Sequence, residues 1–169
     1  MDKFEIDACN FTWINGEQDD PDDRCLHGTT SARIGGRELE QICTVSASAL
    51  YLLKSLTEDH IAGSDEQLMP CCGFFLVADN NLENVSIIGC DAGEDWSVIH
   101  DGDNVRLVLN DGYEAVVPLG EYKRAVFAYA DKIEAYYNSC APKNIPEDEF
   151  DRNGYIAFWN EWRRRRADK

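Results

Sequence analysis

Long apolar runs are missing from this chain: none approaches the roughly 20 residues that a membrane-spanning helix needs, so no spanning segment and no membrane partner is expected. Positive charge is scarce as well, with 16 Lys and Arg against 32 Asp and Glu and a formal net charge of −16. A field of that sign repels phosphate backbones and anionic lipid, which argues against direct binding of nucleic acid. It attracts a basic partner and speeds the encounter. Histidine is confined to positions 27, 60 and 100. No GxSxG, no Gly-rich phosphate cradle and no HExxH occurs, which leaves no catalytic residue, no cofactor and no metal to assign. The chain opens MDKFEID, without the basic and apolar regions of a secretory signal, so a cytoplasmic protein with reduced thiols is expected.

What is present suffices for a core. A chain of 169 residues can bury about two-thirds of its unfolded surface without disulfides or a metal. Its 44% hydrophobic and 11% aromatic content is too high for a disordered protein. No internal repeat, low-complexity tract or second-domain boundary stands out, so one domain over 1–169 is expected. The seven cysteines are odd in number and scattered, and read as small buried hydrophobes more readily than as ligands.

Alternation of Phe4, Ile6 and Ala8 with polar neighbours, followed by Phe11, Trp13 and Ile14, predicts an opening strand or short hairpin that breaks at Asn15-Gly16. Glu17, Asp19, Asp20, Asp22 and Asp23 crowd around Pro21 and repel one another, as in an exposed loop. A second strand is predicted from Thr29 to Ile34. Ala49, Leu52, Leu53 and Leu56 then recur at helical spacing, with Thr44 or Ser46 as the cap. The segment from His60 to Pro70 is polar and turn-like, and the apolar run Cys71 to Ala78 predicts a central strand covered on both faces. Val85, Ile87 and Ile88 make the next strand after a turn at Asn80-Asn81.

From Asp95 to Tyr137 the pattern changes period from two to helical. Strands are predicted over 96–100, 105–109 and 113–119, joined by Asp101-Gly102 and Asp111-Gly112, a strong hairpin signal. Tyr122, Val126, Tyr129, Ile133 and Tyr137 then form one apolar stripe on a helix able to cover the meander. Tyr155, Phe158, Trp159 and Trp162 repeat the helical spacing into Arg163–Arg166, four cations suited to a helix C-terminus. The expected class is therefore α+β: a mostly antiparallel meander covered by helices, with a C-terminal helical pair.

Several constellations yield to simpler accounts. Cys25 and His27 with Cys9 or Cys43 could ligate zinc, but paired short spacings are absent, and Cys71 and Cys72 on a strand would face opposite ways. His100-Asp101 reads as turn chemistry rather than half of a metal site. Asp91, Glu94, Asp95, Asp101, Asp103 and Asp111 lack the ligand spacing of a calcium loop. The arginine cluster is expected to pair with the protein's own acidic surface. Charge is also unevenly placed: residues 1–120 carry six basic against twenty-three acidic side chains, a balance of −17, and 121–169 carry ten against nine.

The stretches EYKRAVFAYADKIEAYYNSCAPK, ending at Lys143, and YIAFWNEWRRRR, Tyr155–Arg166, resemble small immunity proteins of bacterial contact-dependent growth inhibition and related polymorphic toxin systems. The likeness is one of type: a compact acidic α+β domain without a catalytic signature. It implies binding and neutralising a cognate toxin domain, frequently a basic nuclease, inside the producing cell. It carries over no residues and no particular fold. The expected toxin-binding surface is the hairpin carboxylates Glu94, Asp95, Asp101, Asp103 and Asp111, or the loop with Asp19, Asp20, Asp22 and Asp23. Two other classes compete: a small cytosolic hydrolase with dispersed site residues, and an acidic adaptor or nucleic-acid-mimicking inhibitor.

Overall fold

Strands pair strictly with their chain neighbours in this protein, giving three antiparallel sheets in a computed structural model that describes residues 1–16, 18–73 and 75–167. The first sheet has the order β1 (Phe4–Trp13), β2 (Leu26–Ile34) and β3 (Arg37–Thr44). Helix α1 (Val45–Lys54) follows, and then a two-stranded hairpin of β4 (Phe75–Ala78) and β5 (Val85–Ile88). The third sheet is the expected meander of β6 (Trp96–Asp101), β7 (Asn104–Leu109) and β8 (Glu114–Pro118). Helices α2 (Leu119–Ser139) and α3 (Glu149–Ala167) complete an α+β fold. Among the described residues no helix is long and apolar enough to cross a membrane.

The parity break in the first strand has a structural cause. Cys9 pairs with Thr29 and Thr12 with His27, so Asn10 and Phe11 together oppose Gly28, and Asn10 takes a φ of 54°. That bulge swings Phe11 and Trp13 onto the face already used by Phe4 and Ala8. Gly28 is required opposite it, because a Cβ there would meet the Cys9 carbonyl oxygen at 2.9 Å. In the meander the two Asp-Gly turns differ. The β6–β7 loop is Gly102-Asp103 alone, whereas β7–β8 closes through Asn110, Asp111 and Gly112, the last with φ +83°. The second is the three-residue hairpin with a left-handed glycine.

The stripe on α2 is buried as its spacing requires, with Tyr122, Val126, Tyr129, Ile133 and Tyr137 facing one continuous core. Neither α1 nor α2 has a side-chain cap. Thr44 precedes α1, but its hydroxyl contacts His27 Nε2 at 3.3 Å instead of capping, and the first amide of α2, Leu119, donates to the Asp103 carbonyl at 2.8 Å. Helix α3 is capped by Asp148, whose Oδ1 accepts from the Phe150 and Asp151 amides. Its buried face is held by Glu161, which accepts from the Val85 amide and from Arg165 Nε, while Arg165 also reaches Glu58. Arg166 pairs with Asp131. Two of the four arginines thus meet the protein's own carboxylates, and Arg164 reaches Asn84 and the Glu83 carbonyl.

The apolar run Cys71–Ala78 is not a central strand. Cys71 and Cys72 lie in a bend, Phe74 is outside the described residues, and β4 pairs only with β5, leaving Phe75 54% exposed. The run buries Leu76 beneath α3, so close that a Cβ on Gly154 would stand 2.3 Å from the Leu76 carbonyl oxygen.

Buried tyrosine hydroxyls stitch these layers together. Tyr129 Oη contacts Thr30 Oγ1 at 2.7 Å and donates to Ser48 Oγ at 3.1 Å, linking α2 to β2 and α1. Tyr122 Oη meets Ser55 Oγ at 2.8 Å, and Tyr51 Oη donates to the Ile87 carbonyl. Tyr129→Phe removes one hydroxyl that serves two partners, each of which keeps a second bond. The expected loss is about 1–2 kcal/mol in urea unfolding with an unchanged slope; no loss would mean the network is decorative.

Candidate functional site

The acidic loop is exposed at Asp19, Asp20 and Asp22 and is tied to the segment that follows α2. Asp19 accepts from the Ala141 amide and from Lys143 Nζ at 2.9 Å, and Lys143, its side chain 1% exposed, also donates to the Asp20 carbonyl and lies 3.5 Å from the Trp13 ring centroid. Asp22 accepts from Asn144, and Asp20 accepts from the Asp22 amide. Asp23 is buried, with its carboxylate taken by the Asn15 and Cys25 amides. The Ala141 amide first, then Lys143, hold the Asp19 carboxyl below its usual range. These residues clasp the link between α2 and α3, and Asp19, Asp20 and Asp22 stay exposed as the sequence predicts, with Asp23 alone buried. Glu17 lies outside the described residues.

The hairpin carboxylates divide between two ends of the meander. Asp95 is only 5% exposed, bound to His60 Nε2 at 2.8 Å and to the Leu68 and Gly63 amides. Glu94 is half-buried, its backbone paired with that of Met69. Asp111 accepts from the Tyr113 amide and sits 3.5 Å from Arg37. Asp101 and Asp103 are exposed at the other end, roughly 20 Å along β6 from Asp95, and form no side-chain hydrogen bond among the described residues. The five residues are therefore split between the two ends of the meander.

A different surface emerges on the hairpin. Phe75 and Ile88 are register partners, and the Phe75 and Phe150 ring centroids stand 5.2 Å apart. Ile88 is 56% and Phe150 44% exposed, so these three form a contiguous apolar cluster. Glu147, Glu149 and Asp151 flank it at the start of α3, and a groove on the Ile88 side is lined by Asp65, Glu66 and Asp91.

Beside that groove three thiols converge. Cys71 and Cys72 precede β4, Cys90 follows β5, and their Sγ atoms all lie within 4.8 Å of one another. Cys90 Sγ is 3.3 Å from Cys71 Sγ, and the Cys90 amide donates to Cys72 Sγ at 3.1 Å. Gly89 permits the approach, since a Cβ there would fall 2.0 Å from the Cys72 carbonyl oxygen. The expectation that Cys71 and Cys72 face apart fails because they lie in a bend, not on a strand. Burial as a small hydrophobe holds for Cys25 and Cys43, whose thiols it pushes up to about 12 and about 11. Hydrogen bonding at the Cys90 sulfur brings its thiol down to about 7, and the hydrogen bond shared with Cys90 takes Cys71 up to about 11.

The histidines are spent elsewhere. His27 contacts Cys25 and Thr44, His60 contacts Asp95, and His100 contacts Asp59 at 2.8 Å and the Leu56 carbonyl. No family model, curated protein or solved structure matches the chain. Sequence reasoning missed both the apolar cluster and the thiol corner. The available signal was a glycine beside a cysteine at each end of one hairpin, Cys72-Gly73 and Gly89-Cys90.

Lys143→Ala is expected to lower the melting temperature by about 3–8 °C, through loss of the Trp13 contact and of the clasp, and to expose 140–146 to limited proteolysis. In reduced, metal-free protein Cys90 should be the first thiol carbamidomethylated. Its rate rises as pH climbs through about 7, because the thiolate is the nucleophile; faster labelling of Cys9 or Cys140 by mass mapping would contradict this.

Proposed function

We propose that this protein is an immunity-type inhibitor that binds a basic toxin domain, a nuclease in the simplest case, and neutralises it in the cytoplasm of the cell that makes both. The observation that carries the reading is the apolar cluster Phe75, Ile88 and Phe150 set between carboxylates on a chain of net charge −16. A nuclease must present a cationic cleft to phosphates, and an acidic face can cover it.

Magnitudes explain why both components are needed. Exposed ion pairs contribute about 0–1 kcal/mol each, whereas nanomolar binding needs about 12 kcal/mol after the cost of association. Rim charges alone fall short. Aromatic anchors desolvated at the centre of an interface supply the larger share and slow release, and the surrounding charge raises the association rate. Asp101 and Asp103, free at the far hairpin tip, add to the long-range field without needing direct contact. The resemblance of the α2 and α3 stretches to immunity proteins points the same way.

The test is co-expression with a basic nuclease toxin domain, sought first in the genes beside this protein's own, followed by binding kinetics. Phe75→Ala and Phe150→Ala should each raise Kd by more than about tenfold, mainly through dissociation. Joint reversal of Glu147 and Asp151 to Lys should slow association and flatten its dependence on ionic strength. The proposal fails if the toxin is not neutralised, or if affinity survives both sets of changes in variants whose circular dichroism is unaltered.

A further inference from the structure

The geometry points to a trithiolate site for a soft, thiophilic metal ion at Cys71, Cys72 and Cys90. Three thiols from two separate loops converge on one point, and soft thiolate donors select zinc or cuprous ions over hard cations. A tetrahedral zinc ion holds sulfur at about 2.3 Å, which places its ligand sulfurs about 3.8 Å apart. Here Cys71 and Cys90 are 3.3 Å apart, and all three sulfurs lie within 4.8 Å of one another, so that spacing is within reach.

The surroundings have the features of a ligand shell. A backbone amide donates to one of the three sulfurs, Cys90 N to Cys72 Sγ, an arrangement that stabilises a thiolate ligand and orients it. The loops carrying the thiols are rigidly tied. Met69 and Glu94 exchange backbone hydrogen bonds at 3.0 and 3.1 Å, the Thr44 amide donates to the Pro70 carbonyl, and Gly89 packs against the Cys72 backbone. Cys72 and Cys90 are exposed, so an ion has an entry path, and Asp91 beside them adds cation attraction.

Among the described residues no fourth His, Cys, Asp or Glu joins the group, so a bound zinc ion keeps one position for water or a partner's ligand, whereas a cuprous ion is satisfied by three thiolates. Binding releases the thiol protons and involves no redox step. This inference does not rest on the toxin-binding reading, and its test needs no partner.

Full-length protein, purified reduced and stripped with chelator, is titrated anaerobically with Co(II) and Zn(II) in one arm. In the other it takes Cu(I) in competition with a chromophoric chelator. One equivalent should bind in at least one arm, with a thiolate-to-cobalt charge-transfer band if the site accepts divalent ions, and with a higher melting temperature. Cys71→Ser, Cys72→Ser and Cys90→Ser should each weaken binding by more than the roughly 10–100-fold that an outer-shell change costs, whereas Cys9→Ser and Cys140→Ser should not. Melting of each metal-free variant confirms that it folds. Absence of uptake in both arms, uptake that survives all three thiol changes, or isolation of a Cys71–Cys90 disulfide in place of bound metal would each overturn the site.

Discussion

The fold depends on satisfying the backbone of one irregular segment, residues 55–70, which meets the meander and the stretch before it through isolated bridges, His60 with Val98 and Met69 with Glu94. Between these bridges, side chains meet several of its remaining polar groups. Asp95 accepts from Leu68 and Gly63, Ser97 from Ala62, and Ser48 donates to the Leu68 carbonyl. An unpaired buried amide or carbonyl costs about 1–3 kcal/mol, so several left open together would rival the stability of a whole domain. Burying the Asp95 carboxylate is itself expensive, and its bonds roughly offset that cost. Its contribution is therefore better read as specificity, because it fixes the segment's path at residues 60, 63 and 68.

That path sets the position of everything downstream. By tying residue 68 to the meander and to α1, it delivers Pro70, Cys71 and Cys72 to the base of the β4–β5 hairpin, where Gly89 lets Cys90 approach. The hairpin is then held from the other side by α3, through Glu161 on the Val85 amide and Gly154 under Leu76. A two-stranded hairpin is marginal alone. Clamped in this way it presents its outer face, with Phe75 and Ile88, to solvent as a rigid platform extended by Phe150.

Charge in this protein does two kinds of work, and the distinction is one of environment. Asp19, Asp23, Asp95 and Glu161 bind backbone amides or buried cations and hold the chain in place. Asp65, Asp91, Asp101, Asp103, Glu147 and Asp151 remain in water and create the outward field. Counting carboxylates in the sequence cannot separate these groups, since Asp22 and Asp23 are adjacent in one acidic loop and only Asp23 is buried.

Alternation, turn chemistry and helical spacing act between near neighbours, and they determined the meander, its Asp-Gly turns, the buried α2 stripe and the α+β class from the sequence alone. Even the bulge at Asn10 shows as a parity change between Ala8 and Phe11. What decided the rest was contact between distant segments: Asp19 with Lys143, Asp95 with Leu68, Phe75 with Phe150, and Cys72 with Cys90. The run Cys71–Ala78 is the instructive case. Its apolarity suits a central strand, but only one partner strand was available, so the same residues became a bend of thiols and an exposed aromatic edge. Local pattern specifies which face of an element is apolar; only the tertiary structure decides whether another element arrives to cover it.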